Sequence, residues 1–242
     1  MTPEKSRGIV LQHIRFSDTS LIVKIFTEEF GVRSYLIKGA YQKHSKFRPA
    51  IFLPMSIIEF VQTSKSGKEL HFMKEVSVNY HFHQLHQLVE KNAIVMFMSE
   101  LLSRTIQEEE PNVTLFRFLY NSLLWLDLRP TAYSDFPLYL MIELSRYLGF
   151  YPKNSTFQPD YYFDLMAGIF KNNMPEHPYY LDKKLSAKLF QLSGTALDTL
   201  SNLAWSNADR RGLLQELINY YKLHIPGFQG LKSHEVLKTV LE

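Results

Sequence analysis

Cysteine is absent from this 242-residue chain. Disulfides, thiolate nucleophiles and cysteine-ligated zinc are therefore excluded, and the expected setting is a reducing one, the cytoplasm. Long apolar runs are missing as well. No stretch approaches the roughly 18 apolar residues of a membrane span. The opening segment Met1 to Gly8 carries Glu4, Lys5 and Arg7 with no signal-peptide core behind it, so a soluble, unprocessed chain is expected. Catalytic signatures are lacking too: there is no Walker loop, no G-x-G-x-x-G, no H-E-x-x-H and no G-x-S-x-G. Enzymatic chemistry and a bound cofactor are accordingly not expected.

What is present is an uneven distribution of charge. Residues 1 to 80 hold 12 lysines and arginines against 7 acids, whereas the other 162 residues hold 15 against 17. A first third of net +5 on a body of net −2 describes an anion-facing module joined to a neutral or acidic one.

The basic third reads as five short strands: Gly8 to Phe16, Ser20 to Thr27, Val32 to Lys38, Pro54 to Gln62 and Leu70 to Val78. Glu28-Glu29-Phe30-Gly31 supplies one hairpin turn and Ser64-Lys65-Ser66-Gly67-Lys68 another. In Leu21 to Phe26 both faces are apolar except at Lys24, as in a strand of a small closed barrel. Five strands in about 80 residues fit an OB-fold, with an SH3-like barrel as the alternative.

After Tyr80 the apolar period lengthens toward 3.6. Leu85, Leu88, Val89, Ala93, Met96, Phe97, Leu101 and Leu102 predict a helix within Phe82 to Gln107. Pro111 opens a second, through about Asp127; Asp135 and Pro137 open a third that stops at Gly149. Further helices are expected over Lys183 to Leu192, Ala196 to Trp205, Arg210 to Leu223 and Ser233 to Leu241. Between them Tyr151 to Leu181 is irregular, with short strands expected at Tyr161 to Phe163 and Gly168 to Phe170. The fold class is thus α+β, with domains at 1–80 and 81–242 and an insertion at about 151–181.

The stretch from Lys38 to Arg48 carries the clearest chemistry. Lys38, Lys43, Lys46 and Arg48 are fixed cations, His44 adds an imidazole, and Tyr41 and Phe47 are interleaved. Cations neutralise phosphates while flat rings accept unstacked bases, the pairing a single-strand groove needs. Lys24 and Arg33 of the preceding strands complete the expected nucleic-acid-binding set. The alternative is a mobile basic loop that only solubilises the domain. His81, His83 and His86 suggest a surface or capping role rather than a metal site, since His81 and His83 would share a helix face poorly and neither has a carboxylate at i+3 or i+4.

Several segments, in order, resemble the RecO family. They are Gly8-Ile9-Val10-Leu11, Phe16-Ser17-Asp18-Thr19-Ser20-Leu21-Ile22, Ile25-Phe26-Thr27-Glu28-Glu29-Phe30-Gly31 and Ile37-Lys38-Gly39-Ala40, followed by Lys43, Ser45 and Lys46. The closing Leu223-His224-Ile225-Pro226-Gly227-Phe228 agrees with the family's end, and Glu100-Leu101-Leu102-Ser103-Arg104 and Leu148-Gly149-Phe150 agree more loosely. The resemblance implies an OB-fold followed by a helical domain, and a recombination mediator without catalytic residues. It also implies binding to single- and double-stranded DNA, strand annealing, and loading of recombinase onto DNA coated with single-stranded DNA-binding protein (SSB) together with RecR. An OB-fold RNA-binding or translation-associated protein is the alternative, because a basic barrel alone does not distinguish DNA from RNA.

Two further expectations follow from the resemblance. Many family members carry a four-cysteine zinc site after the Leu-Gly-Phe segment; here Tyr151 to Leu181 has no cysteine, so no metal is expected. Packing of Tyr161, Tyr162, Phe163 and Phe170 is expected in its place. The helical domain is expected to receive the acidic C-terminal tail of SSB, with Arg104, Arg117, Arg129 and Arg146 as candidate cations. Alternatively those arginines only pair locally with acids such as Glu100 or Glu143.

Overall fold

A computed structural model describes residues 3–63, 70–107 and 109–240. The expected Ser64 to Lys68 turn and the expected helix end at Leu241 lie outside them. The chain forms two compact units, Met1–Leu128 and Arg129–Glu242. The fold is α+β.

In the first unit, β1 (Pro3–Arg15), β2 (Leu21–Thr27), β3 (Gly31–Ile37), β4 (Ile57–Thr63), β5 (Leu70–His71) and β6 (Met73–Tyr80) form one sheet in the order β5-β3-β2-β1-β4-β6. Only Phe72 separates β5 from β6, so five physical strands carry six labels. The fifth strand pairs in parallel with β3 at its start, through Ser34 with Leu70 and Tyr35 with His71. Its remainder pairs antiparallel with β4. One strand thus bonds to both edges and closes the barrel, the arrangement of an OB-fold.

Closure requires β1 to bend, since its first half pairs with β4 and its second with β2. Gly8 sits where the two pairings overlap, and a β-carbon there would fall 2.5 Å from Ile25 Cγ2 and 3.2 Å from the Phe60 ring. Inside the barrel, Val10, Leu21, Val23, Ile25, Tyr35, Phe52 and Phe60 make the core. The opposite face of β2 is covered by helices. Phe26 packs on Phe116, and the Lys24 ammonium donates to the Ser103 carbonyl at 3.0 Å. The two apolar faces of β2 therefore have two causes, the barrel interior and a helical cover.

The cover consists of α1 (Val89–Thr105) and α2 (Val113–Leu128). The helix expected from Phe82 begins later, because residues 83–88 form turns tied down by Asp127 at the end of α2. That buried carboxylate accepts the backbone N–H groups of His83 at 3.0 Å and of Gln84 and Leu85 at 2.8 Å. The apolar stripe of α1 is also rotated from the expected one. Ala93, Ile94, Phe97, Met98 and Leu101 are buried, whereas Val89 and Met96 are exposed.

The second unit contains α3 (Phe136–Tyr147), a small sheet of β7 (Tyr162–Asp164), β8 (Ile169–Lys171) and β9 (Tyr180–Leu181), then α4 (Lys183–Ser193), α5 (Asn207–His224) and α6 (His234–Val240). The helix expected over Ala196 to Trp205 is a 3-10 segment, Leu197–Leu203, stopped where Ala204 enters the left-handed region at φ 45°. The sheet order is β8-β7-β9, so the irregular insertion has its own hydrogen-bonded frame. Its rings pack inward: Phe163 and Phe170 are buried and 4.8 Å apart, and Phe157 stacks on Phe190 at 3.9 Å. Tyr161 and Tyr162 are half-buried at its margin. Tyr221 ties α5 to α3 by donating to the Met141 carbonyl at 2.6 Å.

Candidate nucleic-acid interface

The segment after β3 leaves the barrel wall but stays fastened to it. Gly39 adopts φ +69° and opens a series of turns, in which the Gln42 N–H reaches the Gly39 carbonyl and the Ser45 N–H the Gln42 carbonyl, both at 3.1 Å. Ala40 is buried in the core, Phe47 packs against it, and Arg48 leads into a 3-10 turn whose Phe52 is fully buried. The Tyr41 N–H also meets the Thr19 carbonyl of the loop between β1 and β2 at 3.4 Å. Apolar anchors inside and charged side chains outside make this a shaped ledge.

On its outer side Lys38, Tyr41, Lys43, His44, Lys46 and Arg48 are all exposed. Phe47 is half-buried, serving the core as much as the surface. Lys24 and Arg33 are placed differently. Lys24 is committed to Ser103, and burial pushes its pKa below the ordinary lysine value. Arg33 is half-buried with its guanidinium 4.6 Å from the Phe30 ring centre. Burial first, and the Arg33 charge second, lower the pKa of nearby His71. The ledge brings together six of the nine sequence-predicted residues as solvent-facing groups, with Phe47 at its foot.

Three residues outside that set join it. Arg15 holds its guanidinium 5.1 Å from the Tyr41 ring centre and is oriented by the Ser17 carbonyl at 3.2 Å. Next to it Phe16 is 59% exposed. Phe72, at the break between β5 and β6, is 40% exposed and lies 5.5 Å from the Lys38 ammonium. The signal for Arg15 and Phe16 was a cation beside an aromatic at a strand end. Phe72 gave no such sign, because Lys38 approaches it through strand pairing.

Three of the four arginines expected to hold an acidic tail are locally engaged. Arg104 meets Glu100 at 2.6 Å, and Arg146 spans both Glu143 oxygens at 3.2 Å while lying 3.7 Å from the Tyr151 ring centre. Arg129 donates to the Asp198 carbonyl at 3.3 Å, and Arg117 is exposed on α2. A small apolar groove in the second unit offers another seat. Pro137, Leu138, Leu214 and Leu237 line it together with Arg211 and with Lys238, whose ammonium also meets Glu235 at 3.0 Å.

Among the described residues, no group of three or more His, Asp or Glu is placed to hold a metal ion. His81 and His83 are exposed, and the His86 ring contacts the Pro54 carbonyl at 2.9 Å. In the small sheet, buried Asp164 accepts from the Met166 N–H at 2.9 Å, the Ala167 N–H at 3.0 Å and the Lys171 ammonium at 2.6 Å, with His177 at 3.4 Å. Burial opposes ionisation, but Lys171 and the two backbone donors outweigh it and hold the Asp164 pKa below the usual carboxylate value.

The family model described as "Recombination protein O N terminal" matches residues 1–82, and "Recombination protein O C terminal" matches residues 86–235. The chain is 38% identical to DNA repair protein RecO of Flavobacterium psychrophilum, with 98% of each chain covered. It is 33% identical to DNA repair protein RecO of Phocaeicola vulgatus, again with 98% of each covered. With DNA repair protein RecO of Bacteroides fragilis it shares 32% over 99% of each. Matched at both ends and along nearly its whole length, the chain belongs to the RecO family of DNA repair proteins.

Proposed function

We propose that this protein is a cytoplasmic recombination mediator, without catalytic chemistry of its own, that binds single- and double-stranded DNA through the ledge of its barrel. The observation that carries this reading is the set of exposed cations Lys38, Lys43, Lys46 and Arg48 beside the exposed rings of Tyr41, Phe16 and Phe72. Phosphate neutralisation supplies sequence-independent affinity, and the rings favour unpaired bases. A protein that neutralises the phosphates of two strands this way raises their encounter rate and so promotes annealing. The relatives named for DNA repair favour DNA over RNA as the ligand.

The second unit is the proposed seat of the SSB tail. An acidic peptide with an apolar end fits an apolar groove that cations also line, as between Leu138, Leu214 and Leu237 with Arg211 and Lys238. Together with RecR, the protein would then act on SSB-coated DNA to admit recombinase. The test is annealing of complementary oligonucleotides coated with SSB, matched by an RNA pair. Annealing of DNA that fails when SSB lacks its tail supports the reading; no acceleration on either naked or coated DNA overturns it.

A further inference from the structure

Beside the ledge, an open groove is lined by Leu36, Ile37, Lys38, Phe47, Phe72 and Met73. Its two rings differ in what holds them. Phe47 packs against the barrel core, as does Met73, so one wall is fixed by the fold. Phe72 lies outside that core, in the single-residue gap between β5 and β6, with 40% of its surface exposed. Its backbone falls between the two paired segments of the strand. Lys38 carries its ammonium 5.5 Å from that ring and faces solvent, and the segment that follows it carries the exposed cations Lys43, Lys46 and Arg48.

We infer that this groove takes one unpaired base of single-stranded DNA, stacked on Phe72 with Lys38 on its phosphate, and that it makes the ledge prefer single strands over duplex. The inference rests on the reading of the ledge as a DNA interface. Charge complementarity argues for this occupant over an apolar peptide, since Lys38 lines the groove, exposed Lys46 and Arg48 flank its Phe47 in the chain, and none of the described residues lining it is acidic. In a duplex the bases are already stacked on one another, so Phe72 has nothing to accept and only the cations act.

The division can be measured on the full-length protein with a labelled single strand and the matching duplex, each across a range of salt. Phe72→Ala is expected to weaken single-strand binding by about 5- to 150-fold, the range for loss of one stacked base. Its duplex affinity and the salt slope should stay unchanged. Phe72→Leu, which keeps apolar bulk without a π-face, should lose nearly as much, while Phe72→Trp should hold. Lys38→Ala should instead reduce the single-strand salt slope by about 0.7, the share of one phosphate contact. Because Phe72 is outside the core, its variants should melt with the parent. Equal losses on both DNAs, a Phe72→Leu protein that binds like the parent, or no loss with Phe72→Ala would each overturn the base pocket. A parent protein that binds neither DNA would overturn the underlying interface as well.

Discussion

Lys171 sets its ammonium 2.6 Å from the buried Oδ2 of Asp164, across the β7–β8 hairpin where the family resemblance would place a cysteine-bound zinc. Asp164 also caps the hairpin turn by accepting from Met166 and Ala167. An ion pair and two backbone bonds thus hold a hairpin that has no thiolates to offer.

One expected outcome is that the purified protein carries well under one zinc per chain by elemental analysis, and that chelator leaves its melting temperature unmoved. Asp164→Ala should destabilise the fold by about 1–3 kcal/mol, because two backbone donors lose their acceptor. Half-exposed Lys171 can turn to water, so it adds little to that loss. Stoichiometric zinc, or a melting shift on chelation, would contradict this account.

Acid should unfold the protein partly through Asp127 and Asp164. At Asp127 burial alone would raise the pKa, but the backbone N–H groups of His83, Gln84 and Leu85, with Lys91, hold it below the ordinary value. Asp164 is depressed likewise. A depressed carboxylate stabilises the fold above its unfolded pKa of about 3.9, and that contribution is lost as pH falls through the folded value. Urea unfolding between about pH 5 and pH 3 should therefore show falling stability, and Asp127→Asn with Asp164→Asn should flatten the slope. An unchanged slope in the double variant would assign acid sensitivity elsewhere.

Gly31 has no room for a side chain. It sits at φ +66°, where a β-carbon would run into the backbone of Glu109. Gly31→Ala should cost about 1–3 kcal/mol from backbone strain, with the clash adding to it, seen as a lowered urea midpoint with an unchanged m-value. A variant as stable as the parent would contradict both the strain and the close approach to the α1–α2 connection.

For the acidic tail, Arg211→Glu and Lys238→Glu are expected to weaken binding of an SSB-tail peptide by tenfold or more each, for about 1.4 kcal/mol per lost charge-assisted contact. Arg104→Ala should have little effect, since that side chain does not line the groove. Calorimetry showing the reverse order would move the seat to α1.

Much of the barrel was legible because strand alternation, turn residues and charge asymmetry are local signals. The strands found begin and end within a few residues of those expected, except that β1 runs back to Pro3. The α1 start was not legible, because the turn before it is bonded by Asp127, more than forty residues away in sequence. Its buried stripe was misread because apolar residues occur on several sides of the helix, and only packing on the barrel selects among them. At the candidate interface, Lys43, Lys46 and Arg48 were visible as a charge run. Phe72 was not, since its relation to Lys38 exists only through the parallel pairing of β3 with β5. Lys24 looked like a free cation, yet the Ser103 carbonyl of α1 accepts its hydrogen bond.

The central claim, that the ledge of the barrel tracks phosphates without reading sequence, is tested most directly by salt titration of DNA affinity. With about three phosphate contacts on a single strand, raising salt from about 50 to 200 mM should weaken binding by tenfold or more, alike for unrelated sequences. In the triple variant Lys43→Glu, Lys46→Glu, Arg48→Glu most of the affinity and of the slope should disappear, while the melting temperature holds. A flat salt response in the parent, or parental affinity in the triple variant, would contradict the account.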